Sequence, residues 1–290
     1  MLSHYDLASN KMLEFIHINL IDRSPIVLWM SFFAIGLLLE RLLPRAVKNK
    51  NSDSSYINFK HSLIYLVIIF GINFQFIAFI NRVINSYHLG SLFKLETYAS
   101  GSEIGFIFVT ILGALLLDLF LYWWHRAEHK IPFLWDIHAI HHSDENLNAF
   151  SSTRELWIEN FIRLGLSIFL MKLLLGVSSD SVVVASSLFA GINFINHCNI
   201  KFNAGFLYRV IATPQFERIH HSIDDRHQNK NFSGVFSIWD SVFGTLYFPE
   251  KDEYPPTGVK ELQVETIAGF YLYPIRQWRR RLISMSNATL

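Results

Sequence analysis

Long apolar runs alternate with short polar segments along the chain. Ser24 to Leu39 contains no Asp, Glu, Lys or Arg, and the run continues to Leu43 around Glu40 and Arg41. His61 to Asn81 lacks the same four residue types. Ile104 to Trp124 holds one charge, Asp118, and Ser181 to Ile200 holds none. Phe161 to Gly176 is interrupted only by Arg163 and Lys172. A bilayer-spanning helix takes roughly 20 mostly apolar residues. The pattern therefore predicts an all-α membrane protein with about four to five transmembrane or membrane-embedded helices. The last two runs are joined only by Val177 to Asp180, which suits a tight helical hairpin. Several uninterrupted runs of this length are hard to place inside one soluble core of 290 residues.

Basic residues in the short loops set the expected orientation. Arg41, Arg45, Lys48, Lys50 and Lys60 follow the first run. Between the second and third runs, Arg82 and Lys94 stand against Glu96 and Glu103. The first loop is predicted to be cytoplasmic and the second to lie opposite. The segments after the third and fifth runs then share the cytoplasmic side with Arg279, Arg280 and Arg281. The first 23 residues include Lys11, Glu14, Asp22 and Arg23 and do not read as a cleavable secretion signal. Lys251 to Gly258, with Pro255 and Pro256, breaks the chain before a cytoplasmic tail over 249–290. Within that tail, Trp278 to Leu282 reads as a solvated or interfacial stretch. The whole of 1–290 reads as a single integral membrane domain.

Composition agrees. Apolar residues make up 51% of the chain and charged residues 17%, with mean hydropathy +0.27, which excludes intrinsic disorder. A single cysteine, Cys198, excludes a disulfide scaffold. With 25 basic and 24 acidic residues there is no electrostatic footprint for nucleic acid, and none is expected as a partner. The 13 histidines change the picture, because nine of them lie between His125 and His227.

Those nine fall at ligand spacing. The third run leads directly into His125-Arg-Ala-Glu-His129, a spacing of four that puts both rings on one helix face. Asp118 and Tyr122 lie on the same stripe. His138-Ala-Ile-His141-His142 follows, and His197 sits near the end of the fifth run. Glu217-Arg-Ile-His220-His221 repeats the second spacing with Glu in the first slot, and His227 comes six residues later. Neutral imidazole ligates iron, zinc, copper and nickel. One metal rarely takes more than about six ligands, so eight or nine histidines point to two metals. The isolated His4, His17, His61 and His88 read instead as hydrogen-bonded helix contacts. Structural zinc usually closes a four-coordinate site with Cys and His, and here cysteine is nearly absent. A histidine-rich pair with open positions suits iron and oxygen chemistry better.

These motifs resemble the fatty acid hydroxylase / sterol desaturase superfamily of membrane di-iron enzymes. That family carries HxxxH, HxxHH and a second HxxHH-like box, in the order found here. Thr213-Pro-Gln-Phe-Glu217 leads into the last box. Asn231-Phe-Ser-Gly-Val-Phe-Ser-Ile-Trp-Asp-Ser-Val-Phe-Gly-Thr245 is similar to the family's NYG…WDxxFGT region. The catalytic region by this resemblance is 114–248.

The resemblance implies a cytoplasmic histidine-rich helical cap holding two iron ions. It implies a lipid substrate, and electrons from a separate donor such as a cytochrome b5-like protein or a ferredoxin. Carried over residue by residue, His125, His129, His138, His141, His142, His197, His220 and His221 are the ligands. His227 resembles an additional histidine of some members. Asp118 would hold the far nitrogen of a ligand histidine and fix its tautomer. Arg154 and Glu159 resemble a further Arg…Glu pair, which reads most simply as a structural salt bridge. The chain departs from the family at Glu217, where most members have His; a carboxylate ligates iron directly or through water. It departs again at Phe232, which lacks the Tyr hydroxyl of NYG.

The expected activity is O2-dependent hydroxylation, or desaturation, of a lipid C–H bond. Two other classes stay open on the residues. One is a zinc-loaded membrane hydrolase with Glu128 or Glu217 as general base. The other is a non-catalytic metal-binding membrane protein.

Overall fold

Every long apolar run forms a helix. The structure, a computed structural model, describes residues 25–47, 52–87, 90–95, 103–177, 179–260, 262 and 264–288. His4, His17, Lys48, Lys50, His88 and the first 23 residues lie outside the described residues. The helices are α1 (Pro25–Leu42), α2 (Ser52–Ser86), α3 (Glu103–Lys130), α4 (Pro132–His142), α5 (Trp157–Leu170), α6 (Ser179–Asn196), α7 (Pro214–His220), α8 (Ile238–Phe243) and α9 (Ile267–Ala288). Among the described residues there is no strand, only the isolated bridges Arg45–Ile200 and Ser222–Thr257.

The long helices pack through their apolar faces. Leu117, Ile168, Met171 and Val182 join α3, α5 and α6, with Ile77 and Ile80 of α2 against them. Helix α1 crosses α6 closely: a Cβ at Gly191 would overlap the Phe32 ring. One turn of π-helix, Met171–Leu175, ends α5 at Gly176, whose φ of 67° is the left-handed conformation glycine adopts without cost. Helices α5 and α6 then pack together as the expected hairpin. The helix Ile107–Lys130 is long and apolar enough to cross a membrane by length and composition, with a mean hydropathy of 2.0.

Helix α2 begins nine residues before its apolar run. Its polar first turns are held by the cap: Asn58 Oδ1 accepts from Arg154 at 2.8 Å, and His61 Nδ1 lies 3.0 Å from the Thr153 carbonyl. Tertiary packing therefore extends the helix beyond what hydropathy marks. His61 is a buried helix contact, as its isolation suggested.

The segment after Lys251 is no free tail. The breaker folds back on the last histidine box, where Gly258 N–H donates to the His221 carbonyl at 3.1 Å and Thr257 Oγ1 donates to the Asp144 carbonyl at 2.8 Å. Helix α9 then docks on α4. Phe270 joins Ile137, Ile140 and Leu156 in a buried cluster. Trp278 Nε1 donates to the Phe133 carbonyl at 3.0 Å, and Arg281 pairs with the buried Asp136 at 2.6 Å. The Trp278–Leu282 stretch thus carries two tertiary anchors.

Candidate metal centre

The boxes sit where helices end. His125 and His129 occupy the last turns of α3, and Ile131 in extended conformation followed by Pro132 starts α4 at once. Proline fits the first turn of a helix, where its missing N–H costs nothing. Helix α4 carries His138, His141 and His142. Thr213 caps α7 by accepting from Phe216 N–H at 3.3 Å, and that helix presents Glu217 and His220, with His221 as its C-cap. His197 directly follows α6.

Nine of these side chains form two adjoining groups. His125, His129, His138, His142 and His220 bring one ligand atom each within 4.8 Å of one another. His141, His197, Glu217 and His221 do the same. The i,i+4 pair of each later box, His138/His142 and Glu217/His221, serves one group, while the remaining box member crosses to the other. Adjacent residues on a helix point about 100° apart, which is why His141 and His142 face different groups. The two groups touch where the His142 and His221 rings stack at 4.2 Å.

The far ring nitrogens are held by the protein. His125 Nδ1 lies 2.7 Å from the Phe232 carbonyl, His197 Nδ1 2.8 Å from the Asn193 carbonyl and His220 Nδ1 2.9 Å from the Lys230 carbonyl. A carbonyl only accepts, so each Nδ1 carries the hydrogen and each Nε2 keeps its lone pair. Glu159 Oε1 does the same for His138 Nδ1 at 2.8 Å. The Nε2 atoms then face one another: His125 to His138 at 3.0 Å, His142 to His138 at 3.1 Å and His141 to His197 at 3.2 Å. The buried Nε2 atoms of His129, His220 and His221 make no hydrogen bond. Converging lone pairs repel unless a cation lies between them. At a metal–nitrogen bond of about 2.1 Å, two ligands at right angles sit about 3 Å apart. The donor set and its spacing therefore fit metal ions, and imidazole with one carboxylate suits iron or zinc.

Electrostatics separate the groups. Glu217 Oε1 lies 3.3 Å from both His197 and His221 Nε2, so the carboxylate takes the slot of the absent histidine and brings a negative charge. Burial would lower His138, but the carboxylates of Glu128 and Glu159 outweigh it and raise its basicity.

Several expected roles change. His227 reaches neither group: its Nδ1 lies 2.8 Å from Ser222 Oγ and its Nε2 3.2 Å from Glu253 Oε1, so both ring nitrogens are engaged in tying the 250s segment down. Asp118 holds no histidine. Its Oδ2 accepts from Phe236 N–H at 2.9 Å, anchoring the turn that follows Phe232. Arg154 and Glu159 do not pair. Arg154 donates to the Ile140 carbonyl, Ser143 Oγ and Asn58 Oδ1, closing the end of α4, while Glu159 orients His138. Glu128 is bound to Trp124 Nε1, with its other oxygen 3.7 Å from His138 Nδ1.

The Asn231–Thr245 region is the frame of the first group. Asp240 accepts from Phe232 N–H at 2.8 Å and Ser233 N–H at 2.9 Å, and Thr245 Oγ1 donates to it at 2.6 Å. Asn231 adopts a left-handed φ of 59°, which Asn tolerates better than most residues, and donates to Tyr208 Oη and the Phe216 carbonyl. The Phe232 ring packs against His125, His129 and His220 with centroids 5.1–5.8 Å apart, so the missing tyrosine hydroxyl leaves an apolar face there.

A cavity of about 230 Å³ adjoins both groups. His125, His138, His141 and Glu217 line it together with Trp29, Ile69, Leu121, Leu164, Val183, Phe189 and Phe194. Glu155, Asn160 and Arg163 form a polar wall, in which Arg163 pairs with Glu155.

A helical bundle that gathers eight imidazoles and a carboxylate into two adjoining ligand groups beside an apolar cavity defines a histidine-box protein. The fatty acid hydroxylase family matches residues 110–245, a stretch that includes every residue of both ligand groups. It is similar to the ornithine lipid hydroxylase of Rhizobium tropici, 26% identical over 240 residues that cover 80% of this chain and 70% of that one. It is 32% identical to the alkylglycerol monooxygenase of Caenorhabditis elegans over 142 residues, 49% of this chain and 28% of that one. It is 26% identical to human cholesterol 25-hydroxylase over 135 residues, 46% of this chain and 48% of that one. The match thus spans less than a third of the alkylglycerol monooxygenase and about half of the cholesterol hydroxylase. No solved structure matches the chain.

Proposed function

We propose that the chain is an O2-dependent lipid hydroxylase with two iron ions, one in each ligand group. The observation that carries this reading is the pair of groups whose Nε2 atoms converge beside an apolar cavity. Bound iron would supply the reduction of O2 and the oxidising power to break an unactivated C–H bond, which acid–base side chains lack. The net reaction takes R–H, O2, two electrons and two protons to R–OH and water. A separate donor, a cytochrome b5-like protein or a ferredoxin, would supply the electrons. The related proteins named above are hydroxylases or a monooxygenase, which favours hydroxylation over desaturation.

The chain's own residues supply orientation and exclusion of water. The carbonyls of Phe232, Asn193 and Lys230 and the Glu159 carboxylate hold four imidazoles in the tautomer that presents Nε2. The apolar cavity wall would seat a lipid chain, and Arg163, Glu155 and Asn160 would meet its polar atoms. Glu128 lies behind His138 and outside the cavity lining, and Glu217 is itself in a ligand group, which weighs against either as the base of a zinc hydrolase.

The membrane reading belongs to the same proposal: a multi-pass integral protein with its boxes on the cytoplasmic face. Outward residues of α2 and α3 support it, because Val67, Phe79, Ile104, Phe108 and Ile111 are 56–81% exposed with apolar side chains. Helix α3, at about 1.5 Å per residue, is about 42 Å long. That exceeds the roughly 30 Å hydrocarbon core, so its histidine turn would stand clear of the lipid.

The test is metal content of protein purified in mild detergent without oxygen or chelator, followed by turnover on membrane lipids. The expected result is about two irons per chain, a loss in His141→Ala, and a lipid product one oxygen heavier that requires both O2 and reductant. Turnover without O2, or full activity in His141→Ala and His220→Ala, would overturn it.

A further inference from the structure

Helix α9 presents two opposite faces. One carries Phe270, Pro274 and Arg281 and is the side docked on α4. The other carries Leu272, Ile275, Arg279, Leu282 and Ile283, and all four aliphatic side chains are more than 40% exposed. Arg276 and Arg280 flank this stripe and are exposed as well. Helix α9 contains four arginines and no acidic residue. Among the described residues Arg281 alone of the four has an ion-pair partner, so the outward face carries three arginines among its aliphatic side chains.

Its anchors place this helix at a defined height. Phe270 packs edge-on against His61 at 5.0 Å, and His61 is the first residue of the apolar run in α2. Trp278 bonds the Phe133 carbonyl, three residues beyond the end of α3. Both contacts lie at the cytoplasmic ends of helices read as spanning. An amphipathic helix with a basic polar edge and an apolar stripe lies in the headgroup region of a bilayer and favours anionic lipids. Arginine stems lie along apolar surface while their heads reach phosphate.

We infer that the outward face of α9 is an interfacial contact with the anionic cytoplasmic leaflet, so that one helix bears on the lipid surface with one side and on the second histidine box with the other. The inference rests on the membrane reading above. It assigns a lipid-facing partner to a segment that the metal chemistry does not use.

The experiment places a bimane label on the full metal-loaded chain in nanodiscs, at Leu282→Cys or Ile275→Cys, since the native Cys198 is buried. Discs of phosphatidylcholine alone are compared with discs containing phosphatidylglycerol. Val67→Cys, on a predicted span, is the lipid reference, and Asp252→Cys, exposed in the cap, is the water reference. The expected result is blue-shifted emission at 275 and 282 in anionic discs. That shift should be lost in the combined Arg276→Glu, Arg279→Glu, Arg280→Glu variant, with metal content unchanged. Water-like emission at 275 and 282 while Val67→Cys reads as lipid would overturn the inference alone. Equal blue shifts in both compositions would overturn its anionic specificity. Water-like emission at all labelled sites would refute the membrane reading itself. Water-like emission at 275 and 282, with quenching on adding an acidic electron donor, would assign the face to a protein partner and overturn the inference.

Discussion

Replacing Glu159 with Leu tests whether the metal centre depends on carboxylate-held imidazole. Glu159 Oε1 lies 2.8 Å from His138 Nδ1, and both side chains are about 3% exposed. The substitution removes the acceptor and leaves a buried N–H unpaired, a cost of about 1–3 kcal/mol. It also frees His138 to adopt the other tautomer, in which Nε2 carries the hydrogen and cannot ligate. Loss of such an orienting partner typically lowers metal affinity about 10–100-fold. At about 1.4 kcal/mol per tenfold change, that is about 1.4–2.8 kcal/mol. Of the two imidazole groups His138 serves the five-histidine one, and its other close neighbours are Glu128 and Glu159, so the loss should fall on that group. Glu159→Gln keeps an acceptor oxygen and relieves repulsion with Glu128, so it should fall between wild type and Leu. Chelator competition on anaerobic protein, scored as successive metal loss, reads each group, and a thermal melt controls for folding. Equal weakening of both groups, or no weakening in Glu159→Leu, would refute the reasoning.

Three further outcomes follow from the same geometry. Glu217→Ala should lower bound metal from about two to about one per chain, because the second group retains only three imidazoles; unchanged metal analysis would remove Glu217 from the ligand set. His227→Ala should keep the full metal content and lose about 1–3 kcal/mol of stability from its bonds to Ser222 and Glu253; a drop in metal would restore it as a ligand. Asp240→Ala should leave the Phe232 and Ser233 N–H groups unpaired and weaken metal in the five-histidine group more than in the other. The reverse order in chelator competition would contradict the frame described for that loop.

The helices and the ligand types were legible because both are local patterns. An apolar run reports its own helix, and a spacing of three or four reports one face of that helix. The division of each later box between two groups is also local in principle, since His141 and His142 diverge by about 100°. The partners of the rings were not legible. His125 meets the Phe232 carbonyl 107 positions away and His138 meets Glu159 21 positions away, and helical periodicity carries no information across such gaps. Arg154 and Glu159 looked like a pair because their charges are opposite and near in sequence. The fold instead turns Arg154 to the end of α4 and Glu159 to a histidine. The apparent tail hid its contacts because Arg281 and Trp278 find their partners 145 positions earlier.

The second layer of this centre explains why some motif residues read as ligand partners without being so. Three of the four orienting acceptors are backbone carbonyls, and a carbonyl requires no particular side chain at its own position. What it requires is a fixed backbone. Asp240 grips the Phe232 and Ser233 N–H groups, Asp118 grips Phe236 N–H, and Asn231 supplies the left-handed turn between the Lys230 and Phe232 carbonyls. These polar residues lie buried beside the histidines, which is the signature a ligand-bonded carboxylate would also leave. For Asp240 the effect reaches His125 through one peptide unit, from carboxylate to Ser233 N–H and from the Phe232 carbonyl to Nδ1. A substitution at Asp240 therefore acts on His125 by displacing its acceptor, while Asp118 holds the same loop further on at Phe236, so the NFSG and WDSVFGT segments operate as one clamp on the first ligand group.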